Sequence, residues 1–222
     1  VTYTELSQAI QDYTQNYEQT FVDNIPVFVT QAETRLYNRV LIPALRKNVT
    51  GVTSTGNKYL SCPPDFLSVL SIAVIDASNN YEYLLNKDVN FIRAAYPSPN
   101  DQAIPQYYAL FGPTVSGGSI TTELSFILGP TPDTAYDIEL HYYYYPESIV
   151  TADTSWIGDN YDPVLLYGSL VEAYIFMKGE EDMMKYYEAK YQDALGQLVR
   201  LGGALERGDA YRDGQYKGKA AP

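Results

Sequence analysis

DNYDPVLLYGSLVEAYIFMKGEEDMMKYYEAKYQDALGQLVRL, residues 159–201, reads as a helical hairpin around which the rest of the chain must be organised. Asp162 stands as the N-cap, and Pro163 takes the first helical position, where a missing N–H costs nothing. Leu166, Leu170, Val171, Tyr174 and Met177 recur at helical spacing until Lys178-Gly179 closes the helix. A second helix starts at once, with Glu180, Glu181 and Asp182 in its first turn, where the macrodipole favours negative charge. Met183, Tyr187, Tyr191, Ala194, Leu198 and Leu201 form its single apolar stripe. Helices joined by so short a turn pack antiparallel, and each has a face to bury. None of these residues carries reactive chemistry, so the hairpin is framework or interface.

The N-terminus supplies the partners for those faces. Thr2-x-x-Glu5 is a capping-box pattern opening a helix over about Thr4–Tyr13, with Leu6, Ile10 and Tyr13 apolar. Asn24 caps a stronger helix with Pro26 in its first turn; Ile25, Phe28, Val29, Ala32, Leu36 and Val40 are its stripe, and Pro43 ends it. These elements predict a bundle from residues 1–45 and 155–201 in which the two ends of the chain meet.

Residues 46–154 predict a β-rich insert. Arg46–Thr53 and Lys58–Cys62 flank Thr55-Gly56-Asn57, a hairpin turn. Ser68–Ile75 is a nearly continuous apolar run, the mark of a central strand, and Asn79-Asn80 turns it into Tyr81–Leu85. Lys87–Ala95 reads as a short helix, and Gln106–Phe111 as the next strand. After a turn at Gly117-Gly118, Ile120, Thr122, Leu124, Phe126 and Leu128 share one face of a strand. Gly129-Pro130-Thr131-Pro132-Asp133 leads to Tyr136–Tyr145, where Ile138, Leu140, Tyr142 and Tyr144 point inward. The expected class is α+β: a helical bundle with an inserted antiparallel, sandwich-like sheet of six to eight strands. Residues 202–222 lose the apolar period and predict an extended, flexible C-terminal arm. From Glu206 to Lys219 the arm has four bases against three acids, in a chain that is otherwise acidic.

Composition excludes several functions. With 45% hydrophobic and 19% charged residues in 222, the chain folds rather than stays disordered. A net charge of −12 argues against gripping nucleic acid, which needs Lys and Arg on the phosphates. The single cysteine, Cys62, forbids an internal disulfide. No membrane span or signal peptide is read, and the start at Val1 is expected to reflect an initiator Met removed or left out of the numbering. Tyrosine is the anomaly, with 23 against 7 Phe and 1 Trp. Such an excess fits protein interfaces, or a β-rich core with wet edges.

Reactive chemistry is sparse. His141, the only histidine, lies on the polar face of a strand beside Glu139, and Cys62 has no base near it in sequence. Asp153, Asp159, Asn160 and Asp162 cluster, but lack the ligand spacing of a calcium loop. Asn48-Val49-Thr50 matches a glycosylation acceptor that has no meaning without secretion. No catalytic residue, metal or cofactor is expected. Exposed tyrosines on a sheet could also stack on sugars.

Several stretches carry a wider likeness. They are Leu45-Arg46-Lys47-Asn48-Val49-Thr50-Gly51, Leu84-Leu85-Asn86-Lys87-Asp88-Val89-Asn90-Phe91-Ile92-Arg93 and Pro105-Gln106-Tyr107-Tyr108-Ala109-Leu110-Phe111. Leu128-Gly129-Pro130-Thr131-Pro132, with the Tyr-rich strand through Pro146-Glu147-Ser148, continues the series. Gly168-Ser169-Leu170-Val171-Glu172-Ala173-Tyr174 and Met177-Lys178-Gly179 complete it. In these, and in their order, the chain resembles the head-to-tail adaptor (connector, tail tubular or gatekeeper-type) proteins of short-tailed double-stranded DNA phages.

The resemblance implies a non-enzymatic virion protein, made in the host cytoplasm and placed at the head-to-tail interface. It implies a ring of twelve copies beneath the portal protein, extending the DNA channel and offering a platform to the tail nozzle and tail fibre proteins. Packaged DNA would pass without sequence-specific binding along an acidic lining that repels it, and no membrane is involved. The arm residues Arg207, Tyr211, Arg212, Tyr216 and Lys217 become the candidate portal contact. Tyr143, Tyr145, Trp156 and Tyr161 become candidate ring-interface or tail-facing aromatics. The alternative is a monomeric carbohydrate- or receptor-binding phage tail component.

Overall fold

The structure, a computed structural model, describes residues 1–112, 114–116, 119–122 and 124–205. Three helices come first: α1 (Tyr3–Thr14), α2 (Gln19–Val22) and α3 (Ile25–Tyr37), followed by a 3-10 turn at Pro43–Leu45. Strands β1 (Arg46–Val52), β2 (Tyr59–Ser61), β3 (Phe66–Ile75), β4 (Tyr81–Tyr83) and β5 (Leu85–Asn86) lead into α4 (Val89–Ala95). Next are β6 (Tyr107–Phe111), β7 (Thr114–Ser116), β8 (Ser119–Thr122), β9 (Ser125–Gly129) and β10 (Asp137–Tyr144). The chain returns to helix with α5 (Ile149–Ala152), α6 (Trp156–Asn160), α7 (Pro163–Phe176) and α8 (Glu181–Leu205). The class is α+β. Two compact units divide it: residues 1–44 with the chain from 146 onward, and residues 45–145.

In the helical unit α7 packs against α1, α3 and α8. The α1 capping box forms, with the Glu5 N–H on the Thr2 hydroxyl at 3.2 Å and the Thr2 N–H on the Glu5 carboxylate at 2.8 Å. Leu6 and Ile10 are buried, whereas Tyr13 is 50% exposed. Asn24 and Asp162 occupy the expected N-cap positions, but neither side chain caps its helix. Both residues already have helical backbone, whereas a capping side chain needs an extended one to reach forward. Asn24 instead donates back to the Thr20 carbonyl. Helix α3 ends at Tyr37, short of Pro43, and Val40 is buried beyond its end.

The apolar face expected on α7 from Leu166, Leu170, Val171, Tyr174 and Met177 is corrected by the structure. Val164, Leu165, Gly168, Ser169, Leu170, Val171 and Ala173 are buried, while Leu166, Tyr174 and Met177 are only half-buried. A helix with neighbours on several sides must be apolar on several sides. On α8, Tyr187, Tyr191, Ala194 and Leu198 are buried as the stripe predicts, Leu195 joins them, and Leu201 is exposed. The helix does not stop at Leu201 but runs through Gly202 to Leu205. Gly202 lies so close to Ile42 that a Cβ there would collide with it. Here glycine permits a close approach rather than a helix end.

The β unit holds ten strands among the described residues, in two four-stranded sheets, β1-β10-β3-β4 and β2-β9-β6-β5, and a β7-β8 ribbon. The expected hairpin of residues 46–62 does not form: β1 pairs with β10 and β2 with β9, so the turn at Gly56 carries the chain from one sheet to the other. The strand expected from Ile120 to Leu128 is likewise two, β8 in the ribbon and β9 in the second sheet. β9 is buried at every position rather than alternately. Phe126 and Leu128 meet the sheet-to-sheet core with Ile72, Val74, Ile138, Leu140 and Tyr142. Ile127, on its other side, packs with Ile92 of α4 and Ala109. Among the described residues the strands pair antiparallel except β5 with β6, and one isolated parallel bridge joins Gln102 to Thr131. The expected turn at Gly117-Gly118 lies outside the described residues.

The α7 contact is narrow at Gly168, where a Cβ would stand 3.0 Å from the Ala32 Cβ and 3.2 Å from the Tyr191 ring. Gly168→Ala is therefore expected to lower stability by up to about 2 kcal/mol, an overpacking cost of about 1–3 kcal/mol offset by a gain in helix propensity of about 1 kcal/mol. Urea denaturation of the full chain measures it.

Candidate functional site

Three polar clusters organise the surfaces this chain can offer. In the helical unit, Arg35 of α3 reaches Glu172 of α7 at 3.2 Å and both carboxylate oxygens of Glu188 on α8 at 3.0 and 3.1 Å. Its guanidinium lies 4.8 Å from the centroid of the buried Tyr191 ring. One planar cation thus ties three helices, as only the forked geometry of arginine allows. Close by in sequence, Glu33 is 3% exposed and accepts the Ser148 hydroxyl and, at 2.8 Å, the N–H of Ile149 at the start of α5. Burial raises the Glu33 pKa against the pull of these two hydrogen bonds.

In the β unit the focus is Asp65. It accepts the Lys47 ammonium at 2.6 Å and the Tyr142 hydroxyl at 2.8 Å. Lys47 also lies 4.0 Å over the Tyr144 ring. Burial alone would raise the Asp65 carboxyl, but these two hydrogen bonds hold it below the ordinary aspartate value. Burial and the neighbouring carboxylate push the Tyr142 phenol up to about 12.

The candidate aromatics fall into different units. Tyr143 is 8% exposed, with its hydroxyl accepting from Arg46 at 2.8 Å and its ring under that guanidinium. Its burial follows a register shift against β3 between His141 and Tyr142, which breaks the inward–outward alternation. Tyr145 is half-buried and donates its N–H to the Asp65 carbonyl. Trp156 begins α6, and Tyr161 donates its hydroxyl to Gln197 of α8 at 2.9 Å; both are half-buried. The candidate arm residues Arg207, Tyr211, Arg212, Tyr216 and Lys217 lie outside the described residues. The tyrosine excess serves two purposes: among the described residues six are buried, Tyr108 and Tyr191 among them, and six are exposed, including Tyr81 and Tyr83.

A family model described as SU10 adaptor protein matches residues 1–215. The chain belongs to the SU10 adaptor protein family. No curated protein matches it. The adaptor is thus a structural component of a phage particle, and works by contact with other virion proteins.

The adaptor's reactive groups are consistent with that role. The buried Cys62 thiol is pushed up to about 12 by desolvation, so it is protonated at neutral pH and a poor nucleophile. His141 is half-buried on β10, opposite Asn48 and Ser71. Of the aspartates weighed for calcium, Asp153 ends α5 in the left-handed region, and its carbonyl accepts the Tyr3 N–H. Asn160 donates its side-chain amide to the Trp156 carbonyl. Sequence reading missed Arg35, Glu33 and Asp65, whose partners stand 18 to 153 residues away.

Asp65 predicts a pH dependence. Its folded pKa is depressed, so its stabilisation is present above the ordinary aspartate range and lost as pH falls through the folded value. Asp65→Asn is expected to cost about 1–2 kcal/mol at neutral pH, given a half-exposed Lys47 partner, with the gap closing below about pH 3. Thermal midpoints of both proteins across pH measure it.

Proposed function

We propose that this adaptor is the head-to-tail connector of a short-tailed double-stranded DNA phage. Twelve copies form a ring beneath the portal, extend the DNA channel, and present a platform to the nozzle and fibre proteins. The match to the adaptor family over residues 1–215 carries the reading. Two features of the chain support it. The net charge of −12 suits a lining past which DNA slides, since fixed negative charge repels phosphates. Exposed apolar side chains on the helical unit, including Val27 at 48%, Ile175 at 56% and Phe176 at 47%, suit contacts completed by other chains.

Within this reading the C-terminal arm, with Arg207, Tyr211, Arg212, Tyr216 and Lys217, orders on the portal. Tyr145, Trp156 and Tyr161 keep surface for a neighbouring copy or the tail, while Tyr143 contributes through the position of Arg46.

Native mass spectrometry of the protein alone and mixed with its portal tests the assembly. The expected outcome is a monomer that moves to the mass of portal plus ring. A monomer indifferent to the portal overturns the reading and favours a sugar- or receptor-binding tail component. Deleting residues 207–222 is expected to weaken portal binding at least about tenfold, or ~1.4 kcal/mol. Unchanged binding would remove the arm from the contact.

A further inference from the structure

The sheet β1-β10-β3-β4 has two open edges, and among the described residues no strand lies outside β1 or β4. From Lys47 to Val52 every residue of β1 is exposed, as is all of β4. Proteins blunt such edges with proline, bulges or charges, because an open edge is a template for another strand. β1 has no proline, its register with β10 is unbroken, and its charges stop at Lys47.

The backbone shows which groups are on offer. The Thr53 N–H donates to the Tyr136 carbonyl at 2.9 Å, so Thr53 faces β10. Residues of an antiparallel strand face alternate sides, so 47, 49 and 51 also bond β10, and Asn48, Thr50 and Val52 turn their N–H and C=O to the open side. At the other edge, the Leu84 N–H reaches the Ile72 carbonyl at 2.9 Å and the Asn80 carbonyl accepts the Asp76 N–H at 3.0 Å. Even-numbered residues therefore face β3, and Tyr81 and Tyr83 face outward.

The two edges are complementary. Three successive antiparallel pairings leave β1 and β4 running in opposite directions, so head-to-tail addition of copies continues the antiparallel order. β1 holds Arg46 and Lys47 and no acid; β4 holds Glu82 and no base. Both edges expose side chains that pair well across strands, Val52 at 59%, Tyr81 at 50% and Tyr83 at 66%.

We propose that β4 of one copy pairs with β1 of the next, so that the sheet runs on from subunit to subunit. This rests on the ring reading above and supplies its repeating contact. A β1–β1 pairing about a dyad would use only the β1 edges and by itself stop at two copies, whereas a heterologous β4–β1 contact uses both edges, propagates and can close. Hydrogen-bonded pairs must join outward residues, and seating both Tyr81 and Tyr83 within the exposed run from Asn48 to Val52 puts Thr50 opposite one or the other, with Cα atoms about 5.5 Å apart. That spacing is within reach of a disulfide.

The test uses the full chain assembled with its portal, its mass recorded first. Thr50→Cys/Tyr81→Cys and Thr50→Cys/Tyr83→Cys are then oxidised, beside each single variant and the unaltered protein with Cys62. One of the double variants is expected to give a covalent ladder on a denaturing gel, and the controls none. A ring mass with no ladder from either pair overturns the edge pairing and leaves the ring standing. Covalent dimers from Thr50→Cys alone overturn it in favour of a dyad. Absence of a ring mass in the unaltered protein removes both readings. Thr50→Pro deletes one outward N–H without touching the β10 ladder. It is expected to keep the monomer's circular dichroism and thermal midpoint while ring yield falls at least tenfold; an unchanged yield also overturns the pairing.

Discussion

The helical unit depends on the close passage of α3 and α8 beside α7 at Gly168. Without a side chain there, Ala32 and the ring of Tyr191 approach the α7 backbone, and the largest fully buried side chain among the described residues finds its place. Arg35 then covers that ring and takes a carboxylate from each of α7 and α8. Its side chain is 28% exposed, so the cation is not stripped of water, and the clamp avoids the desolvation cost of a fully buried ion pair. The apolar contact supplies most of the energy; the arginine fixes how the helices are turned, since a rotated α8 would take Glu188 from its fork. Phe21 and Phe28 extend the same core to α2, with the exposed Phe176 against both rings.

The β unit follows a different rule. Its core is the space between two sheets, and the chain changes sheet between β1 and β2, between β2 and β3, between β4 and β5, and between β9 and β10. Such crossings leave few local pairings, so order comes from contacts distant in sequence, such as Arg46 on Tyr143 and Lys47 on Asp65. Asp65 joins the loop before β3 to β1 and to β10 at once.

What the sequence revealed and what it hid follow from this difference. Helix existence was legible because apolar spacing and breakers such as Pro26, Pro163 and Lys178-Gly179 act locally. The Thr2/Glu5 box was legible for the same reason. Caps at Asn24 and Asp162 failed because the residue type was right and the backbone already helical. Strand partners failed more broadly: Thr55-Gly56-Asn57 is a turn, but a turn does not say whether the next strand pairs with the last. β9 hid its double burial behind an alternation continued from β8. Of the functional surfaces, family resemblance located the class, while Arg35, Glu33 and Asp65 had no motif to announce them.

An adaptor's chemistry is contact, and contact energies bound how it can assemble. The outward groups of Tyr81 and Tyr83 give an edge pairing four hydrogen bonds, worth about 2–6 kcal/mol net. Losing the freedom of a second body costs about 4–15 kcal/mol, and copies that each carry −12 repel one another. Edge pairing of this size is therefore too weak to gather copies from solution by itself. It acts once another surface has already brought neighbours side by side, and a symmetric partner with a binding place for each copy does that by raising their local concentration. On the proposed reading, the same acidity that keeps DNA off the channel wall keeps the monomers apart until the portal holds them, and the open edges of β1 and β4 then join only in the order the portal sets.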